Sequence, residues 1–171
     1  MKKLYFILFA SAVYFISSCG GAKTEGTAVP PGMQEVQLKI NGNPLSIIVP
    51  DAQKGKLEVT EQSWGATEVK VGKDFQISIT EGDGDIALTK SDIAGNDVNK
   101  FRRYVKDEPT ILFWESQITE PEFHFYMVNK IGKVSYVLED IKGNIYTEPV
   151  VQGMVEASKT LKASTNEKPN S

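Results

Sequence analysis

Residues 36–49 read VQLKINGNPLSIIV, and this stretch decides the fold of the chain. Apolar side chains alternate with polar ones on both sides of Asn41-Gly42, a dipeptide that is typical of tight hairpin turns. Alternation with a period of two places every second side chain on one face of a β-strand. The stretch therefore predicts an antiparallel hairpin, and Pro44 and Pro50 favour an edge position for its second strand.

The same alternation recurs along the rest of the chain and predicts a mainly antiparallel sheet. We expect further strands at residues 57–59, 69–71, 75–79, 86–88, 111–114, 123–127 and 134–138. The run ILFW at 111–114 is apolar at every position, which is typical of a central strand that is covered on both faces.

Two segments have helical spacing instead. Residues 98–105 follow the capping candidates Asn96 and Asp97. Residues 147–162 begin at the capping candidate Thr147 and have a proline, Pro149, in the first turn. The sequence thus predicts an α+β fold in two layers: an antiparallel β-sheet with one internal helix and one C-terminal helix packed on one face. This order of elements is similar to the Mog1/PsbP-like arrangement, a resemblance that implies no functional residues.

The N-terminal residues have the order of a secretory signal. Two lysines come first, an apolar stretch covers residues 4–16, and small residues lead to Cys19. The stretch is shorter than the ~20 apolar residues that a membrane-spanning helix needs. Residues 16–19 (ISSC) resemble the lipobox of bacterial lipoproteins, which implies that residues 1–18 are removed as a signal peptide and that Cys19 carries a lipid.

Lipid on Cys19 predicts a protein that is anchored in a membrane. The chain has one cysteine, so it cannot form an intrachain disulfide, and an unpaired thiol in an oxidising compartment would be a liability that lipidation removes. Gly20 stands where lipoproteins retained in the inner membrane commonly have Asp. The resemblance therefore implies the outer membrane, with the periplasmic and the surface face both left open.

Composition divides the remaining sequence into three parts. Residues 19–33 are expected to form the lipidated cysteine and a flexible Gly/Pro-rich tether, residues 34–162 a single α+β domain, and residues 163–171 a disordered tail. The formal net charge is −3, and Lys and Arg are not clustered as in nucleic-acid-binding proteins. The expected partners are the membrane, through the lipid, and another envelope protein.

Motifs for catalysis or metal binding are weak. His124 is the only histidine, and a catalytic histidine needs an orienting partner and a nucleophile, whereas a zinc site needs several ligands. Residues 81–85 (EGDGD) resemble a calcium loop but lack its closing Glu. The segment is therefore predicted to form a hairpin turn, with weak Ca²⁺ binding as the alternative. We expect no catalytic residue, no metal and no cofactor, and predict that the protein is not an enzyme.

Two further features concern surfaces. Lys100, Arg102, Arg103 and Lys106 are expected to form a solvated basic face on the first helix. Trp64, in the turn-like sequence QSWG, is the candidate for an exposed contact, since Trp is enriched at interfaces. Trp114 is expected in the core.

Three functions follow from these observations. The favoured one is a non-enzymatic, lipid-anchored envelope protein that binds another envelope protein or assists assembly, and a contiguous exposed apolar patch would support it. The alternative is a small-molecule carrier or sensor with an apolar pocket between sheet and helices, of about 300 Å³ or more with a few convergent polar groups. A hydrolase is a distant third and requires His124 in a cleft beside a carboxylate or hydroxyl.

Overall fold

The computed structural model describes residues 29–164. The predicted signal peptide, Cys19, most of the tether and all but the first two residues of the predicted tail lie outside these residues. The strands of the described part are β1 (Met33–Ile40), β2 (Asn43–Pro50), β3 (Leu57–Glu61), β4 (Ala66–Val71), β5 (Phe75–Glu81), β6 (Lys100–Glu108), β7 (Ile111–Gln117), β8 (Pro121–Ile131), β9 (Val134–Asp140) and β10 (Lys162–Ala163). The helices are α1 (Ile86–Ala94) and α2 (Glu148–Ser158). Neither helix has the length and apolar character that crossing a bilayer requires.

The strands form two antiparallel sheets, so the α+β class is confirmed. A three-stranded sheet has the order β1-β2-β10, and a seven-stranded sheet has the order β3-β4-β5-β9-β8-β7-β6. Strand β7 lies between β6 and β8, and its residues 111–114 are all buried, as the continuous apolar run predicts.

The hairpin of residues 36–49 forms β1 and β2. Asn41 (φ 48°) and Gly42 (φ 86°) both have positive φ, as the tight two-residue turn between paired Ile40 and Asn43 requires. The predicted edge position of β2 is wrong, because β10 pairs with its other side. That pairing covers residues 45 and 46 of β2, and the Pro44 carbonyl, which proline retains, accepts a hydrogen bond from the Ser164 backbone N–H at 3.0 Å.

One core joins the small sheet, α2 and one face of the large sheet. It contains the inward side chains of β1 and β2, Met154 and Val155 from α2, and Phe113, Phe125 and Leu138 from the large sheet. Helix α2 begins directly after Thr147, as predicted, but it ends at Ser158, before the predicted end at 162. The residues beyond it lead into β10, which ends at Ala163.

The internal helix lies earlier in the chain than the sequence predicts. Residues 86–88 belong to α1 and not to a returning strand, so the EGDGD segment leads into a helix rather than closing a hairpin. The Asp85 carboxylate accepts a hydrogen bond from the Leu88 backbone N–H at 2.9 Å, which makes Asp85 the N-cap of α1.

The predicted helix at residues 98–105 is wrong, because most of this segment is strand β6. Its pairing with β7 is irregular between Phe101 and Arg103 and again between Tyr104 and Lys106. An inserted residue in a strand changes the spacing of side chains on one face from two to three. Phe101 and Tyr104 are consequently neighbours, with ring centroids 4.6 Å apart. The bulges thus give this strand an interval of three residues, which is also typical of a helix.

The two helices contact opposite faces of the large sheet, which corrects the prediction that both lie on one face. Ile93 of α1 packs in a small cluster with Leu112 and Trp114 of β7. Phe113, between them in the strand, belongs to the core that contains α2. Because successive residues of a strand point to opposite faces, α1 and α2 cover different sides.

Gly84 allows the start of α1 to lie close against the large sheet. A Cβ at Gly84 would lie 2.5 Å from a methyl carbon of Val128, 2.8 Å from the Tyr126 hydroxyl oxygen and 2.9 Å from a methyl carbon of Val137. Gly82, two residues earlier, has nothing within 4 Å of the same position. Gly82 is therefore a suitable control position for a substitution at Gly84.

We expect Gly84→Ala to lower the free energy of unfolding by about 1–3 kcal/mol, the usual cost of overpacking, because α1 or the three sheet side chains must move. Gly82→Ala is the control and should change it by less than about 0.5 kcal/mol. Denaturant unfolding of both variants measures the difference. Equal effects would contradict the close approach of Gly84 to the sheet.

Candidate functional site

A cleft of about 340 Å³ lies between α1 and the large sheet, on the side opposite to α2. Asp92 and Ile93 of α1 line one wall. The opposite side is lined by Trp114 of β7 and by His124 and Tyr126 of β8. The cleft therefore combines an apolar floor with polar groups from several elements.

The floor contains a buried pair of His124 and Asp140. Only 6% of His124 is exposed, and its Nδ1 lies 2.9 Å from Asp140 Oδ2. The Asp140 side chain has no exposed surface, and its Oδ1 accepts a hydrogen bond from the Phe125 backbone N–H at 2.8 Å. Because an ionised carboxylate only accepts hydrogen bonds, Nδ1 carries the ring proton.

The other nitrogen of His124 faces polar side chains. Its Nε2 lies 3.5 Å from the Asn99 side-chain nitrogen and 3.7 Å from a carboxylate oxygen of Glu122. No serine or threonine hydroxyl of residues 29–164 forms a hydrogen bond with either ring nitrogen. The pair thus has the orientation of a general base but lacks a neighbouring nucleophile among the described residues.

An ammonium group lies over the aromatic floor. Lys142 Nζ is 5.9 Å from the centroid of the Trp114 ring, 3.2 Å from Glu139 Oε2 and 3.9 Å from Asp140 Oδ1. Trp114 in turn lies against His124, with ring centroids 5.4 Å apart and an interplanar angle of 36°. One cation is therefore shared by two carboxylates and an indole ring.

Asn99 brings an unused hydrogen-bond acceptor to the cleft. The Asn96 side-chain oxygen accepts hydrogen bonds from the backbone N–H groups of Val98 (3.0 Å) and Asn99 (2.8 Å), which holds the segment between α1 and β6 in a turn. Asn99 Oδ1 is buried and has no hydrogen-bond partner within the described chain. A buried unpaired acceptor costs about 1–3 kcal/mol.

Asp140 also acts on its surroundings through its charge. Tyr146 is 3% exposed and donates a hydrogen bond from its hydroxyl to the Ile141 carbonyl at 3.1 Å. Burial, followed by the negative charge of Asp140, raises the pKa of Tyr146 to about 12. The Asp140 charge, at the end of β9, therefore acts on Tyr146 as well as on His124.

The structure separates the residues that the sequence singles out. Trp64 lies in the turn between β3 and β4 and is 63% exposed, in line with the prediction of an exposed side chain. Trp114 is buried as predicted, and His124 faces away from Phe125, also as predicted, although it meets Trp114 there. Cys19 lies outside the described residues.

The predicted basic helix face is instead part of strand β6, and two of its four basic side chains contact carboxylates. Arg103 binds Glu115 at 2.6 Å and Glu148 at 3.0 Å, which links the sheet to the start of α2. These hydrogen bonds raise the pKa of Arg103. Lys106 lies 3.7 Å from Glu156 of α2.

The EGDGD segment also makes structural contacts. A Glu81 carboxylate oxygen accepts a hydrogen bond from the Asn43 side chain at 3.1 Å, and Asp85 caps α1. Within residues 29–164, no three or more His, Cys, Asp or Glu side chains are grouped so that they could hold a metal ion.

Sequence reasoning missed Asn99, Asp140 and Lys142. A signal for Asp140 was present: it continues the alternation of Val134, Tyr136 and Leu138, so it places a carboxylate at an inward position of a strand. Asn99 and Lys142 lie in connecting segments and carry no comparable signal.

Searches with protein-family models, curated proteins and solved structures yield no match for this chain. The similarity to the Mog1/PsbP-like arrangement stays a prediction from the order of elements. Function is therefore inferred from the lipobox resemblance at residues 16–19 and from the geometry of the cleft.

We expect Asp140→Asn to lower the free energy of unfolding by about 1–3 kcal/mol and to move the His124 proton from Nδ1 to Nε2. The new amide can still accept from Phe125 N–H, but its NH₂ group then faces Nδ1, which must become an acceptor. Because the chain has one histidine, ¹⁵N NMR of the ring at about pH 8 reads the tautomer directly.

Glu139→Gln, at the neighbouring position, is the control and should leave the tautomer unchanged. A wild-type ring that carries its proton on Nε2 would contradict the assigned orientation. An Asp140→Asn variant that keeps the Nδ1 proton would do the same.

Proposed function

We propose that this protein is a lipid-anchored envelope protein, held by Cys19, whose domain binds a small molecule in the cleft between α1 and the large sheet, as a carrier or sensor. The observation that carries the proposal is the cleft itself, with the buried His124–Asp140 pair at its floor. The proposed location is the outer membrane, and the proposed role is binding rather than catalysis.

The size and lining of the cleft support binding. Its volume of about 340 Å³ lies within the range of about 300–1,000 Å³ that is usual for small-molecule sites. Trp114, Ile93 and Tyr126 supply apolar surface, and the polar groups converge from α1, β8 and β9. Burying a carboxylate is costly unless it keeps its hydrogen-bond partners, and Asp140 keeps two of them at the floor of the cleft.

A binding or assembly role towards another envelope protein is the second candidate. The observation in its favour is Trp64, whose 63% exposure leaves a large aromatic surface in water. Other exposed apolar side chains, such as Val98, Ile118 and Ile145, belong to separate connecting segments. The cleft has the stronger support, because its residues converge on one volume.

The anchor follows from the lipobox resemblance at residues 16–19. Each buried acyl CH₂ contributes about 0.8 kcal/mol, so one chain binds a membrane marginally and two or more bind it stably. The diacylglyceryl group of a lipoprotein supplies two chains. A domain on a lipid anchor can meet its ligand at the membrane surface without a spanning helix.

We expect Cys19→Ala to move the protein from the membrane fraction to the soluble fraction of its host, with an unchanged thermal unfolding midpoint. Intact-mass measurement of the wild type should show loss of residues 1–18 and a lipid adduct. Wild-type material with a free thiol at position 19, or a Cys19→Ala variant that stays wholly with membranes, would contradict the anchor.

The cleft is tested in a Trp64→Phe background, in which Trp114 is the only tryptophan. A fragment set of mixed charge is screened by Trp114 fluorescence with the full lipidated chain in detergent. Thr89→Phe places a large ring in the cleft wall, whereas Leu88→Phe changes the next residue, which is 58% exposed and outside the lining.

We expect Thr89→Phe to weaken binding of the identified fragments by about tenfold or more, since overlap with a packed side chain costs over 1 kcal/mol. Leu88→Phe should leave binding unchanged. If no fragment of any charge changes Trp114 emission, or if the two variants behave alike, the proposed function is wrong.

A further inference from the structure

We infer that the cleft takes an organic cation: a small molecule with an apolar or aromatic body and an ammonium group. The inference rests on the proposed function and names the class of ligand for the same site. It depends on two features: the balance of charge around the cleft and the position of Lys142 over the Trp114 ring.

Carboxylates outnumber cations around the cleft. Asp92 and Glu139 line it, Asp140 lies against Nδ1 of His124, and a Glu122 carboxylate oxygen lies 3.7 Å from Nε2. The one Lys or Arg among the lining residues is Lys142. An excess of carboxylates over cations in a cleft with low-dielectric walls concentrates ligands of positive charge.

Lys142 marks the place where a ligand ammonium would bind. Its Nζ already lies over the Trp114 ring, at 5.9 Å, and contacts Glu139 at 3.2 Å. Lys142 follows the end of β9 in a turn, and its side chain is 59% exposed, so it can move away without disturbing a packed core. A ligand cation that displaces it takes over the same carboxylate partner and the cation–π contact with Trp114.

The remaining groups fit the same ligand. Ile93 and Tyr126 extend the apolar surface beside Trp114 for the body of the molecule. Asn96 and Asn99 add polar side chains at the rim.

An anionic ligand fits poorly. It would approach Asp92 and Glu139, and its one cationic partner, Lys142, is already shared by Glu139 and Asp140. Like charges at such distances oppose binding. The two ligand classes therefore predict opposite effects of removing Lys142: cations should bind more tightly, and anions more weakly.

The test compares phenethylamine with 3-phenylpropionate, which share a phenyl ring and a two-carbon chain and differ in the sign of charge. Both are titrated into the full lipidated Trp64→Phe chain in detergent at about pH 8, where an ordinary imidazole is neutral. Trp114 emission is the readout. Phenethyl alcohol serves as the neutral analogue.

We expect phenethylamine to bind in preference to the other two. Lys142→Met should strengthen its binding by about threefold to tenfold, and Asp92→Asn should weaken it by about threefold to tenfold, the range of a desolvated cation–π or charge contact. Lys133→Met removes the same charge from an exposed turn at the other end of β9 and should have no effect.

Preferred binding of 3-phenylpropionate, equal binding of the alcohol, or weaker amine binding in Lys142→Met would overturn the cation inference and leave the cleft as a binding site. Failure of compounds of every charge to change Trp114 emission would overturn the inference together with the proposed function.

Discussion

The buried carboxylate of Asp140 connects the large sheet to the floor of the cleft. Its two oxygens accept from the Phe125 backbone N–H and from the ring of His124, so one charge joins β9 to β8 and sets the imidazole orientation. A buried charge is strongly unfavourable when it loses its partners. A shift in the pairing of β8 with β9 would separate these groups, and the hydrogen bonds of Asp140 therefore favour the native register.

The cleft exists because the large sheet is covered unequally. The face towards α2 and the small sheet is a continuous apolar core that includes Phe113 and Phe125. The face towards α1 has only a small cluster around Ile93, Leu112 and Trp114. A short helix cannot cover a seven-stranded sheet, so space remains beside it, and polar side chains at the ends of α1 and β9 surround that space.

The features that could be predicted from the sequence are local. The hairpin at 36–49 and the start of α2 follow from turn chemistry and from side-chain periodicity within one segment. Strand β6 was mistaken for a helix because two bulges change its spacing. The prediction of a strand at residues 86–88 is wrong because Asp85 can act either in a hairpin turn or as an N-cap. Which of the two forms depends on the packing of Gly84 against the sheet.

The sequence by itself determined the α+β class, the alternating strands around a central apolar run, and the lipobox from which the anchor is predicted. Tertiary structure alone decided that His124, 16 positions from Asp140, is paired with it, and that Lys142 and Asn99 face the same cleft. The physical reason is that a periodic pattern reports which way a side chain points within its own strand or helix. Which groups meet depends on strand order, bulges and the face that each helix covers, and these are set by packing between segments distant in the chain.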